Sequence, residues 1–330
     1  MARLHKEYLG FDNAIKLTES RKESLKRSRN ELKRKIRKWF EDNKSDELQP
    51  KFKGQGSFDM NTTINPIPEY DSEGNKLLFY DLDYGIYFLE KDGEDNIQTI
   101  ETWHNWVYES VEDHTSQKPK KKTTCIRVIF SDGHHVDLPI YYKNGYIPEL
   151  AHKSRGWIFS DPKKFLEWFN NRKNSQLEKI VRILKAWKNY RELNNNSLKL
   201  PSGFELTILA TNNYVSDDNL DVAFRKTITA IENELKRNFQ CMRPTDPIED
   251  VFSDYSDNRK NNFLTTLRSL VSDCDRANNE SNFKKASEIL RNNQFGDRFP
   301  LGEDSEAKDK SKSLSAGILG SGIIQKPYGE

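Results

Sequence analysis

Leu77-Leu78-Phe79-Tyr80-Asp81-Leu82-Asp83-Tyr84-Gly85-Ile86-Tyr87-Phe88 has the period of a β-strand, and two aspartates set two residues apart interrupt its apolar run. Side chains alternate across a strand, so Leu78, Tyr80, Leu82, Tyr84, Ile86 and Phe88 share one apolar face while Asp81 and Asp83 point together off the other. Paired carboxylates repel and raise each other's pKa unless a cation sits between them, which makes a divalent metal the natural occupant. About twenty-four residues upstream lies Gly56-Ser57, a loop opening a helix, where backbone N–H groups and a hydroxyl can hold a triphosphate. The combination suggests phosphate chemistry.

A third carboxylate follows. Cys125 to Ser131, then Asp132-Gly133, then His134 to Tyr141 reads as a β-hairpin closed by a two-residue Asp-Gly turn. Val136, Leu138 and Ile140 face one way on its second strand, so Asp137 faces the other way with His135. Three aspartates on neighbouring strands can hold two Mg²⁺ ions that clamp the attacking and leaving oxygens of a nucleotidyl transfer. Mg²⁺ prefers oxygen ligands, so His134 and His135 are expected to serve edge or turn packing.

Taken together, Gly54-Gln55-Gly56-Ser57 with Thr62-Thr63, Tyr80-Asp81-Leu82-Asp83 and Val136-Asp137-Leu138-Pro139 resemble the nucleotidyltransferase signature of the polymerase β superfamily. The closer resemblance is to the bacterial cGAS-like CD-NTases, over roughly residues 10–300, including a Phe295-Gly296-Asp297-Arg298-Phe299-Pro300 ending. It implies an α+β, two-lobed fold with a mixed-sheet catalytic lobe, a helical second lobe and a long N-terminal spine helix. It also implies Asp81, Asp83 and Asp137 as metal ligands and catalytic residues. Gly56, Ser57, Lys185 and Ser202 would be nucleotide-binding, the last two from the helical lobe; an exposed helix lysine and a helix N-cap are the ordinary alternatives for Lys185 and Ser202. Two Mg²⁺ ions, with Mn²⁺ an acceptable substitute, and NTP substrates (ATP, with GTP or a pyrimidine NTP as further options) complete the expectation. The implied product is a cyclic di- or trinucleotide made for antiphage defence and sensed by a downstream effector. A linear oligonucleotide synthase, transfer to RNA or protein, and a catalytically silent nucleotide-binding module are the rivals.

The 330 residues carry a net charge of only +2, with 35% hydrophobic and 32% charged residues. That balance gives no global case for a long nucleic-acid substrate. No run of about eighteen apolar residues suits a membrane span, and the expected compartment is the cytoplasm. Cys125, Cys241 and Cys274 are few and widely separated, as free thiols would be.

Four segments are expected: an N-terminal spine helix within 1–50, its periodicity running as one helix over 14–43; a catalytic lobe at 51–160, with strand and turn over 52–145; a helical lobe at 161–300; and a tail at 301–330. Helices are read at 164–170, 175–193, 203–212, 217–239, 257–277 and 281–293. The tail is too polar over 303–316 to order itself, and is a place for a regulatory partner.

Overall fold

The computed structural model describes residues 3–70, 73–74, 76–90, 97–144 and 147–304. The expected tail beyond Asp304 lies outside them. Two helices open the chain, α1 (His5–Ile15) and α2 (Glu19–Asn43). The long N-terminal helix is therefore present, but it begins at Glu19 rather than at residue 14. Thr18 stops the periodicity from running through: it is extended, and its hydroxyl caps α2 by accepting from Arg21 N.

Next come β1 (Lys51–Gln55), the one-turn helix α3 (Gly56–Asp59), a small hairpin β2 (Glu69–Tyr70) and β3 (Lys76–Leu77), and β4 (Asp81–Leu89). A helix, α4 (Ile100–Glu109), stands where strand and turn are expected. Thr99 caps it, and Trp103 and Val107 bury one face against the sheet, Trp103 stacking on Phe88 at 3.8 Å between ring centroids. The sheet then continues with β5 (Lys120–Lys121), β6 (Cys125–Ile129), β7 (His135–Asn144), β8 (Ile147–His152) and β9 (Gly156–Phe159).

The seven-stranded sheet has the order β1-β4-β7-β6-β5, with β8 on β7 and β9 on β8. β4 and β7 run parallel and the other pairs antiparallel, so the sheet is mixed. The β6–β7 connection has three loop residues rather than two. Phe130 N donates to His134 O, Gly133 N to Phe130 O, and Gly133 takes φ +90°. This is a type I turn with glycine in the left-handed position, the common three-residue alternative to the Asp-Gly two-residue loop.

The rest is helical: α5 (Pro162–Asn170), α6 (Ser175–Asn194), α7 (Gly203–Asn212), α8 (Leu220–Arg237), α9 (Asp257–Asn279) and α10 (Phe283–Leu290), followed by a π-turn at Arg291–Phe295. Buried apolar residues fall into two clusters. One joins Leu25, Leu32, Ile36 and Phe40 of α2 to the sheet and α4. The other unites the helices from α5 onward with Tyr8, Phe11 and Ile15 of α1, and the Tyr8 and Phe11 rings meet Phe295 and Phe299 at 4.9–6.1 Å between centroids. The break at residues 16–18 thus lets consecutive helices serve different cores. A buried pair ties the second core to the loop after α3: Arg182 donates to both Asp12 oxygens at 2.7 and 2.9 Å and to Asn61 O at 2.7 Å. Among the described residues no helix is long and apolar enough to cross a membrane.

Candidate active site

Sheet register brings the polar residues together in two rows. Gln55, Asp83, Asp137 and Arg127 are successive partners across β1, β4, β7 and β6, and Asp81 pairs with His135 one step along. Leu82, Tyr84 and Ile86 point into the core from the opposite face of β4, as do Val136, Leu138 and Ile140 on β7. Burying those apolar side chains holds the acidic face in place, because a one-residue slip would turn every carboxylate into the core.

The turn from β1 into α3 delivers Gly56 and Ser57 to the same edge. Gly56 has φ +71°, and a Cβ there would stand 2.2 Å from Asp83 Oδ2. Only glycine lets the backbone pass this close to the carboxylate. Ser57 Oγ hydrogen-bonds Thr63 Oγ1 at 2.8 Å, and Thr62 N donates to Ser57 O at 2.9 Å. The Gly-Ser turn and the Thr pair therefore form one structure.

These residues line a cavity of about 670 Å³, with Asp81, Asp83, Gly56 and Ser57 on the sheet side and Lys185, Ser202 and Arg243 on the helical side. Lys185 is buried, not an exposed helix lysine; its Nζ donates to Thr62 Oγ1 at 3.0 Å and Thr62 O at 3.3 Å. Ser202 caps α7 in a reciprocal arrangement with Glu205, so the N-cap alternative describes its bonding, while its position is on the cavity wall. Phe79, 48% exposed, adds an open aromatic ring to that wall.

The electrostatics follow from burial. Asp83 is pushed up to about 8, first by desolvation and then by the Asp81 and Asp137 charges, with Arg127 and Lys185 pulling the other way. Desolvation also pushes the Lys185 ammonium down to about 8, opposed by Asp81 and Asp83. A carboxyl kept protonated near neutrality by burial and then by its like-charged neighbours marks a place where positive charge is short. The donor set fits a divalent cation on that ground.

Two further neighbours join the site: Arg127, which the sequence does not single out, and His135, expected from the sequence to serve edge or turn packing. Arg127 grips Asp137 bidentately, Nε to Oδ1 and Nη2 to Oδ2, both at 2.7 Å. Ligand atoms of Asp81, His135 and Asp137 lie within 4.8 Å of one another, and His135 is held below its ordinary pKa by burial and then by Arg127. Alternation along β6 and β7 puts both on the acidic face, and that was the available signal. His134 does pack as a turn residue, bonded to Asp132 and, at 2.9 Å, to Ser28 Oγ, and stacked on Phe130. The three cysteines are free and buried.

Residues 50–141 match the family model described as cyclic GMP-AMP synthase DncV-like, nucleotidyltransferase domain. A curated relative, the cyclic GMP-AMP synthase of Escherichia albertii, is 29% identical over 200 residues, which are 58% of this chain and 43% of the relative, so the match spans less than half of that protein. The structure of Vibrio cholerae DncV cyclic AMP-GMP synthase in complex with linear intermediate 5′ pppA(3′,5′)pG aligns with TM-score 0.74 and 21% identity, over 91% of this chain and 99% of that one. The E. coli MS115-1 CdnC:HORMA-deltaN complex aligns with TM-score 0.68 and 14% identity, over 90% and 98%. The structural likeness establishes the fold, and the family match covers β1, α3, β4 and the acidic half of β7. Residues 50–141 are thus similar to the DncV-like nucleotidyltransferase domain, and they sit in a chain that shares the fold of DncV.

Proposed function

We propose that the protein is a divalent-metal-dependent nucleotidyltransferase that joins NTPs into a cyclic di- or trinucleotide and releases pyrophosphate. The observation that carries this reading is the juxtaposition of Asp81, Asp83 and Asp137 on parallel strands beside a cavity whose opposite wall bears buried Lys185. Asp81, Asp83 and Asp137 would hold Mg²⁺. When bound, the metal supplies Lewis-acid stabilisation of charge on the phosphate oxygens. The α3 backbone amides, Ser57 and Lys185 hold the donor triphosphate, with Ser202 at the helical edge of the same wall. A ribose hydroxyl attacks the α-phosphorus, a new P–O bond forms as the bond to the β-phosphate breaks, and pyrophosphate leaves. The hydroxyl proton passes to Asp137, which Arg127 fixes in one orientation. Phe79 offers a face on which a base can stack.

Cyclisation is supported by the name of the E. albertii relative and by the linear intermediate bound to DncV. A role in antiphage defence, with a downstream effector that senses the product, belongs to the same reading. The CdnC:HORMA-deltaN complex supports a regulatory partner, for which residues 305–330 are the candidate segment. The test is to incubate purified protein with labelled NTPs and Mg²⁺, treat with phosphatase and separate the products. A phosphatase-resistant nucleotide that Asp81→Asn/Asp83→Asn does not make is expected. Products with only phosphatase-sensitive ends would instead select a linear synthase.

A further inference from the structure

On the reading that Asp81, Asp83 and Asp137 hold a metal, we propose that His135 is a further ligand, so that the site takes an imidazole nitrogen as well as oxygens and selects Mn²⁺ over Mg²⁺. Three observations lead there. His135 is the register partner of Asp81 across the parallel β4–β7 pair, and its ring reaches the same point as the Asp81 and Asp137 carboxylates, the ligand atoms lying within 4.8 Å of one another. Its ring makes no hydrogen bond among the described residues, whereas the adjacent His134 is bonded to Ser28 and Asp132. Asp137 already accepts from Arg127 through both oxygens. A guanidinium seated there weakens the pull of that carboxylate on a second cation, which leaves His135 the uncommitted donor that β7 offers beside Asp81.

The ligand chemistry sets the selectivity. Mg²⁺ demands oxygen and near-ideal octahedral geometry, while first-row ions accept imidazole. Among those ions Mn²⁺ shares with Mg²⁺ a preference for carboxylates and water, and carboxylates supply the remaining donors here.

Pulsed electron paramagnetic resonance of Mn²⁺ bound to the nucleotide-free protein tests this directly, because a coordinated imidazole imprints a ¹⁴N coupling on the metal signal. We expect that coupling in the wild-type protein and its loss in His135→Ala. Mn²⁺ affinity should also fall by at least the roughly tenfold that loss of even an outer-shell partner causes, with Mg²⁺ affinity little changed. A wild-type signal without ¹⁴N coupling overturns the proposal, and it can be read even if His135→Ala fails to fold. Asp81→Asn/Asp83→Asn separates this idea from the one beneath it. If that variant stops binding Mn²⁺ while wild type shows no ¹⁴N coupling, only the His135 assignment fails; if it binds Mn²⁺ as wild type does, the metal reading of the whole site fails.

Discussion

Asp83 is stabilised in its protonated form by burial and by two neighbouring carboxylates, and this has a consequence for stability. The unfolded chain releases that proton near the ordinary aspartate value of about 3.9, whereas the native, metal-free protein keeps it until about 8. Between those values the native state binds more protons, so this group makes the protein less stable as pH rises. In metal-free buffer Asp83→Asn should therefore melt above wild type at pH 8, with the gap closing toward pH 4. Equal melting temperatures at pH 8 would show that the Asp83 charge is not under strain. Lys185→Met keeps the length and removes the charge from a buried position. It should leave stability level or higher while weakening NTP use by about ten- to a hundredfold, the value of a hydrogen bond to a charged group, read as kcat/KM. Ser57→Ala should show a loss of the same order or smaller, since the α3 backbone amides remain in place.

At the scale of elements, Gly133 makes the sharpest prediction. Its φ of +90° and a hypothetical Cβ only 2.6 Å from Leu78 O mean that Gly133→Ala should cost about 1–3 kcal/mol in urea unfolding. An effect near zero would show that the turn relaxes freely. The same turn shows how far local sequence carries. Alternation made β4 and β7 legible, because Leu82, Tyr84 and Ile86 and then Val136, Leu138 and Ile140 share one core-facing side, and it put Asp81, Asp83 and Asp137 on the opposite face. Loop length was not legible: Asp132-Gly133 suits a two-residue or a three-residue turn, and the difference rests on where Phe130 and His134 pair. α4 was hidden by its mixed Thr, Trp and His composition, whose helical period is short and whose apolar face shows only once Phe88 is beneath it. Arg127 is a cross-strand partner of Asp137, and such pairing belongs to the register rather than to either strand alone. Lys185 could be placed in the cavity only by resemblance, since nothing in the α6 sequence distinguishes a buried lysine from a solvated one.

Across the whole molecule, the Asp12–Arg182 pair, with side chains 4% and 3% exposed, fastens α1, α6 and the loop after α3 at one point. Arg182→Met strands a buried carboxylate and should cost about 3–5 kcal/mol, whereas Asp12→Leu/Arg182→Met should recover much of that loss because no lone charge remains. Denaturant midpoints of the single and double variants provide the measurement. A single variant within about 0.5 kcal/mol of wild type would mark the pair as incidental. The placement of α1 also bears on synthesis. Phe11 leaves the ribosome early, yet its partners Phe295 and Phe299 lie almost three hundred residues later. At bacterial to eukaryotic elongation rates the wait is roughly 15–60 s. During that interval the sheet lobe can close over α2, while α1 meets α6 and α8 earlier but keeps the Phe11 side of its aromatic face without Phe295 and Phe299. The core behind the helical wall of the cavity, with Lys185 on α6, therefore completes its packing only once residue 299 is made, later than the sheet that carries the acidic strands.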